Sequence, residues 1–159
     1  MKPALDAVKE YLEAKRIRYE AAAAGSIRFS LLIPTPEVAE MPNRLVSCAV
    51  SIPGSDARTL QLSAMVMAVE LSAELLDPVT SFFMKYQSER LRSGKIIIHE
   101  DGAIFYSQTE FLCAGATMDE HAVASMITTA ILEMAAIFMV KDEFVRILPP
   151  MVTPRFGVA

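Results

Sequence analysis

Three consecutive segments of the chain alternate between apolar residues and smaller or polar ones with a period of two. In residues 27–33 every odd position is apolar, and a similar alternation recurs in 46–52 and 60–66. Successive side chains of a β-strand point to opposite faces, so each segment predicts a strand with one buried face. The connections between the segments favour an antiparallel meander. A sheet that buries only one of its faces is therefore expected.

Helices are predicted on both sides of these strands. Residues 3–17 carry apolar side chains at three- and four-residue spacing, which indicates an amphipathic helix. The dipeptide Asp77-Pro78 combines a capping side chain with proline and predicts a helix start, with the helix ending near Leu91. The segment Thr117–Glu120 has the spacing of a capping box and predicts a third helix reaching about Lys141.

The remaining strands complete the predicted fold. A weak strand is expected over 18–22, and a hairpin with a two-residue Asp101-Gly102 turn joins strands over 96–98 and 103–113. We therefore predict an α+β fold with an antiparallel sheet of five or six strands, in the order α-β-β-β-β-α-β-β-α.

The domain organisation follows from length and from the distribution of proline. With 159 residues and no internal repeat or linker, the chain predicts a single α+β domain over 1–148. Prolines and turn residues predict loops over 34–43 and 53–56. The proline-containing segment 149–159 is predicted to be an irregular tail.

The last predicted helix carries very little charge. Between residues 122 and 140 the only charged side chain is Glu133, and the segment is long enough to span a bilayer. Hydroxyl residues interrupt it, and a carboxylate in mid-membrane is costly, so we favour a buried or subunit-facing helix over a membrane span. No apolar segment follows Lys2, and a cytoplasmic location is expected.

Composition restricts the classes of partner and cofactor. A net charge of −4 argues against nucleic acid as the main partner, and basic pairs such as Arg16 and Arg18 are interpreted as solvated. Two cysteines 65 positions apart predict no disulfide and a reducing compartment. No phosphate-binding or metal-binding motif is present, so no cofactor and no metal site are predicted.

The cysteines and histidines supply the one enzymatic alternative. Cys48 or Cys113 could act as a nucleophile if the fold brought His99 or His121 beside it. By alternation, however, both cysteines share a face with apolar neighbours, which favours inert core positions. A small cysteine-dependent hydrolase or transferase is thus the second hypothesis.

The first hypothesis rests on the high proportion of apolar residues in the chain. The chain is 53% hydrophobic and has ten methionines, whose flexible side chains suit either core gaps or adaptable binding surfaces. We predict a homodimer that binds a protein or peptide partner. The residues assigned to the partner or dimer surface are Phe82, Phe83, Tyr86, Leu132 and Met139.

The pattern of elements resembles the YbjN family, whose fold is similar to that of type III secretion chaperones. The segments that carry the resemblance are Val8–Leu12, Ile17–Tyr19, Asp77-Pro78, Arg92–Ile96, His99–Gly102 and Gly115–Glu120. One departure is Gln87-Ser88, where the family has an asparagine late in the middle helix, so the chain resembles a divergent member. The resemblance implies a non-enzymatic, often dimeric cytoplasmic module of chaperone-like or regulatory type. It supplies no catalytic residues. A peripheral subunit seated on a membrane complex remains a third hypothesis.

Overall fold

The computed structural model of the chain describes residues 1–22, 25–34, 44–53, 58–113 and 115–156. The helices are α1 (Ala4–Ala14), α2 (Ala73–Arg90), α3 (Glu120–Met139) and α4 (Lys141–Arg146). The strands are β1 (Lys2–Pro3), β2 (Tyr19–Ala22), β3 (Ser26–Ile33), β4 (Arg44–Ser51), β5 (Thr59–Ala68), β6 (Gly94–Ile98), β7 (Ala103–Phe111), β8 (Thr117–Met118) and β9 (Arg155–Phe156). Most of the loop predicted over 34–43 and of the turn predicted over 53–56 lies outside the described residues.

One antiparallel sheet organises the fold. Its strands are ordered β2-β3-β4-β5-β7-β6, and β9 pairs with the end of β5. The strands β1 and β8 form a separate two-stranded ladder that ties the start of α1 to the start of α3. The predicted α+β class with an antiparallel sheet is confirmed. The structure adds α4 and three two-residue strands to the predicted order of elements.

The helices cover one face of the sheet. The helix α3 packs against β3 and β7, α1 packs against α3 and β3, and α2 packs against β6. The alternation in β3 is reproduced, with Ile27, Phe29 and Leu31 buried on the helical side. On the opposite side Arg28 and Leu32 are exposed, because no described helix covers that face.

Two helix starts differ from their predictions. The helix α2 begins at Ala73 after Ser72, so Pro78 lies inside the helix. Pro78 has no N–H group to donate to the carbonyl of Glu74, four residues earlier. Because Glu74 is exposed, water can donate a hydrogen bond to that carbonyl instead. The helix α3 is capped by Asp119, whose carboxylate accepts a hydrogen bond from the N–H of Ala122 at 2.7 Å. Thr117 belongs to β8 instead of acting as the cap.

The hairpin between β6 and β7 reverses over four residues, 99–102, and not over the two predicted. The N–H of Gly102 donates to the carbonyl of His99, and the N–H of His99 donates to the carbonyl of Ala103, both at 2.9 Å. Gly102 has a φ of 86°, and a Cβ there would collide with the carbonyl oxygen of Val69. The bond from Gly102 to His99 closes a β-turn, and the left-handed glycine at the end of this turn accounts for the extra residues.

The tail predicted to be irregular is partly ordered. Phe156 pairs with Met67, and Arg155 pairs with Ala68, on the side of β5 that β7 leaves free. Both Pro154 and Phe156 are buried. The prediction of an irregular tail is therefore wrong for 155–156. Strand pairing begins at these residues because they follow Pro154, and proline has no N–H to donate to a neighbouring strand.

The strand β5 contains an irregularity. Its pairing with β7 shifts between Met65 and Met67, and the side chains of Val66 and Met67 are both fully buried. A β-bulge inserts one extra residue and turns the following side chains to the opposite face. Beyond the bulge it is the odd residues, Met67 and Val69, that face the core.

The helix α3 is long and apolar enough to cross a membrane by length and composition alone. Eight of its side chains are nonetheless buried against the rest of the fold. A core helix passes the same hydropathy test, and this burial supports the prediction of a buried helix.

Candidate functional site

The predicted partner residues separate into two groups. Phe83 and Tyr86 are buried in the core, and Phe82 is half-buried with its ring 5.4 Å from that of Phe144. The prediction of a surface role for Phe83 and Tyr86 is corrected, because α2 turns that face toward α4 and the sheet. Leu132 and Met139 are 65% and 63% exposed on α3 and remain available for a partner.

Among the described residues, neither cysteine forms a hydrogen bond with a histidine. Burial raises the pKa of the Cys48 thiol to about 12, so the reactive thiolate is scarce at neutral pH. Cys113 is exposed, which corrects the predicted core position: it lies beyond the end of β7 and forms an isolated bridge with Thr117. His99 and His121 are exposed, and His99 packs on the ring of Phe105. Within the described residues, no group of three potential ligands could hold a metal ion.

The buried carboxylate of α3, that of Glu133, is fully engaged. Oε1 of Glu133 accepts hydrogen bonds from the N–H groups of Arg92 and Ser93 at 2.7 and 3.0 Å. Oε2 accepts from the N–H of Gly94 and the hydroxyl of Tyr106, both at 2.8 Å. Glu133 therefore fastens α3 to the connection between α2 and β6.

These contacts control the ionisation of Glu133. Burial alone would raise the pKa of its carboxyl, but the hydrogen bonds from Ser93, Arg92, Tyr106 and Gly94 outweigh burial and lower the pKa. The side chain is ionised at neutral pH and its oxygens are occupied. Its role is structural, and this role explains why one charged residue lies among the apolar buried side chains of α3.

A second feature is the free edge of β3. On one side β4 pairs with the whole strand, whereas on the other side β2 pairs only with Ser26–Phe29. The backbone of Ser30–Ile33 thus has no strand neighbour on that side within the described chain. Such an edge presents unpaired N–H and C=O groups that can receive another extended segment.

A groove of about 970 Å³ follows this edge. It is lined by the α1–β2 connection and the first two residues of β2 (16–20), by residues 28–32 of β3, and by Leu45, Ser47 and Ile131. Aliphatic and aromatic side chains supply most of the lining, and Ile131 brings α3 to the groove. The groove therefore combines backbone hydrogen-bonding groups with an apolar surface.

Arginines surround the groove. Arg16, Arg18 and Arg28 are exposed lining residues, and Glu20 is the one acidic side chain in the lining. None of the three guanidinium groups has an ion-pair partner among the described residues. The sequence interpretation treated Arg16 and Arg18 as solvated and missed that the fold gathers them beside a strand edge.

Arg16 has an unusual backbone conformation. It follows the end of α1 with a φ of 57°, a left-handed conformation that favours glycine. The N–H of Ile17 donates to the carbonyl of Leu12 at 2.8 Å, and the N–H of Arg16 donates to that of Glu13 at 2.9 Å. These two bonds form a Schellman motif with arginine at the position where glycine is usual. Arg16 therefore helps to end α1 in a backbone conformation that costs arginine more than glycine.

The described residues thus define an α+β protein with helices on one face of its sheet and an open, basic strand edge. No family model and no curated protein sequence matches the chain. Among solved structures, the chain is similar to the crystal structure of YbjN, a candidate transcription regulator from E. coli. The TM-score is 0.53 at 11% identity, over 86% of this chain and 93% of that chain. The resemblance predicted from the sequence is therefore confirmed for the fold.

Proposed function

We propose that the protein is a non-enzymatic module of chaperone-like or regulatory type, which binds an extended, acidic segment of a partner protein. In this proposal the chain is a divergent relative of YbjN and acts in the cytoplasm. The observation that carries the proposal is the free edge of Ser30–Ile33 within a groove lined by three arginines. The shared fold with a candidate regulator supports the regulatory part.

The shape of the groove favours an extended partner. A peptide laid along β3 would satisfy the unpaired backbone groups and continue the sheet beyond the end of β2. Alternate side chains of an added strand point to opposite faces. Every second side chain of the bound peptide would contact the apolar part of the groove near Ile131. The side chains between them would contact the open face of the sheet near Arg28.

Charge specifies the partner further. The chain has a net charge of −4, yet the groove carries three arginines against one glutamate. Glu20 of β2 pairs with Arg28 of β3 on the open face, and extending the alternation of β2 by one residue assigns Arg18 to that face as well. The best-matched segment therefore alternates apolar residues with aspartate or glutamate. A second copy of the same edge fits poorly, because it would bring like charges together.

Peptide binding tests the proposal. We expect a labelled eight-residue peptide that alternates valine and glutamate to bind at least about tenfold more tightly than its valine–lysine counterpart, since charge-assisted contacts contribute about 1.5–3 kcal/mol each. The double variant Arg18→Glu/Arg28→Glu should reverse this preference. Fluorescence anisotropy at two salt concentrations measures both effects, and affinity for the acidic peptide should fall with salt.

Matched controls separate the groove from general charge. Arg90→Glu on α2 changes an exposed arginine outside the groove lining and should leave binding unchanged. A proline-substituted acidic peptide lacks backbone donors and should bind weakly.

Arg16→Gly should weaken binding while stabilising the fold by about 0.5–1 kcal/mol, because glycine relieves the left-handed strain. Equal binding of the acidic and basic peptides would exclude the proposal.

The homodimer is a separate part of the proposal. From Ser125 to the end of α3 the exposed side chains are those of Ser125, Thr128, Leu132 and Met139, and none of the four is ionisable. A symmetric contact places the same stripe on both copies, so an uncharged stripe avoids like-charge repulsion. These observations favour a second copy packing along α3.

The dimer makes its own prediction. Leu132→Glu should shift the protein from dimer to monomer at micromolar concentration, because the new charge would be buried against its symmetry mate. Light scattering after size exclusion measures the molar mass. Glu143→Gln on exposed α4 is the control and should leave the mass unchanged. A wild-type monomer throughout this range would refute the dimer while leaving the peptide groove untouched.

A further inference from the structure

A second cavity lies on a different part of the molecule. Its volume is about 600 Å³, and it is an open pocket bordered by the start of β4, the start of α4 and the segment that leads into β9. Its apolar lining comes from Val145, Leu148, Val152, Phe156 and the three prolines at 149, 150 and 154. The cavity exists because the C-terminal segment folds back onto β5.

The polar lining of this cavity is entirely basic or neutral. Arg44, Lys141 and Arg155 contribute three cations, Thr153 contributes a hydroxyl group, and no acidic residue belongs to the described lining. Three like charges around one cavity repel one another unless an anion lies between them. In a chain whose net charge is −4, such a concentration of positive charge is a local exception.

The cations use only part of their bonding capacity. Nη1 of Arg44 donates to the carbonyl of Phe156 at 3.2 Å, whereas its Nε is buried with no hydrogen-bond partner among the described residues. The ammonium of Lys141 lies 5.7 Å from the ring centroid of Phe156. Both residues thus help to hold β9 in place, and each retains donors that an anion could occupy.

We propose that this cavity binds a small amphiphilic anion. Its carboxylate or phosphate head would contact Arg44, Lys141 and Arg155, and its apolar body would lie against the prolines and Val152. Guanidinium groups bind both heads through paired N–H groups. Because the ligand would touch β4, α4 and the segment before β9 together, binding would fasten this segment to the sheet. The site is separate from the peptide groove and does not depend on it.

Calorimetry with simple probes tests this site. Octanoate and octyl phosphate supply the two possible heads, inorganic phosphate supplies a head without a body, and octylamine reverses the charge. At least one of the two amphiphilic anions should bind at least about tenfold more tightly than octylamine and inorganic phosphate. Whichever of octanoate and octyl phosphate binds more tightly shows whether the site prefers a carboxylate or a phosphate head group. Binding should also slow hydrogen exchange at the amide of Phe156.

Variants distinguish this site from general adsorption. Arg44→Gln should weaken binding of the preferred anion at least about tenfold, because one charge-assisted contact is lost. Arg155→Gln, whose side chain is exposed, tests the same prediction should the first variant fail to fold. Arg146→Gln on α4 lies outside the lining and should bind normally. Equal binding of octanoate, octyl phosphate and octylamine, or wild-type affinity in Arg155→Gln, would overturn the proposal.

Discussion

Phe83→Ala is expected to lower the free energy of unfolding by about 4 kcal/mol, the usual cost of removing a fully buried aromatic ring. Phe83 is 1% exposed, and its ring centroid lies 5.2 Å from that of Phe82 and 5.0 Å from that of Phe144. The variant would leave Phe144, itself fully buried, facing a cavity. For a chain of this length the melting temperature should fall by roughly 8–16 °C.

The neighbouring residue provides a matched control. Met84 is 59% exposed, so Met84→Ala should change the free energy of unfolding by less than about 0.5 kcal/mol. Urea denaturation of the two variants compares them directly. If Phe83→Ala kept its stability but altered the oligomeric state, the surface role predicted from the sequence would be correct and the core position would not.

Glu133→Ala has the second largest expected effect, a loss of about 3 kcal/mol. The substitution removes the acceptor of three backbone N–H groups and the Tyr106 hydroxyl, and hydrogen bonds to a charged group are the strong ones. Glu133→Gln should lose about 2 kcal/mol, because its amide nitrogen would face donors. Glu89→Ala on exposed α2 is the control and should stay within about 0.5 kcal/mol of the wild type.

The pH dependence of this effect has a definite sign. Because the pKa of Glu133 is lowered in the folded protein, the unfolded chain takes up the proton first as pH falls. The stability due to Glu133 is therefore complete above the ordinary glutamate pKa of about 4.3 and is lost as pH falls through the folded value. The stability gap between wild type and Glu133→Gln should narrow below about pH 4. A gap that widened on acidification would contradict the assigned hydrogen bonds.

Periodicity predicted most of the fold because burial on one face leaves a record in the sequence. The alternation of 27–33 gave β3 with its buried side chains, and the stripe of α3 gave both its core face and its exposed Leu132. The starts of the helices were predicted less accurately than their faces, because more than one nearby residue can act as an N-cap. Both Ser72 and Asp77 are suitable caps, and Ser72 takes the N-cap position although its side chain makes no capping hydrogen bond.

The candidate sites were less predictable because they depend on contacts between distant residues. Which strand lies at an edge depends on how far β2 extends beside β3, and no local pattern records that length. The engagement of Glu133 requires the backbone of 92–94, about 40 positions away. The one available signal was the pair Arg16 and Arg18 at the end of a predicted helix, which gained meaning only when the fold placed it beside β3.

The bulge in β5 affects any comparison of this chain with distant relatives. Where a relative's strand lacks the extra residue, an alignment without a gap near Met65–Met67 assigns every later residue of the strand to the wrong face. At 11% identity, too few matching residues remain to reveal such an error. Pairing the residues of the two proteins by their spatial positions, with one insertion allowed there, keeps Val69 aligned with core positions.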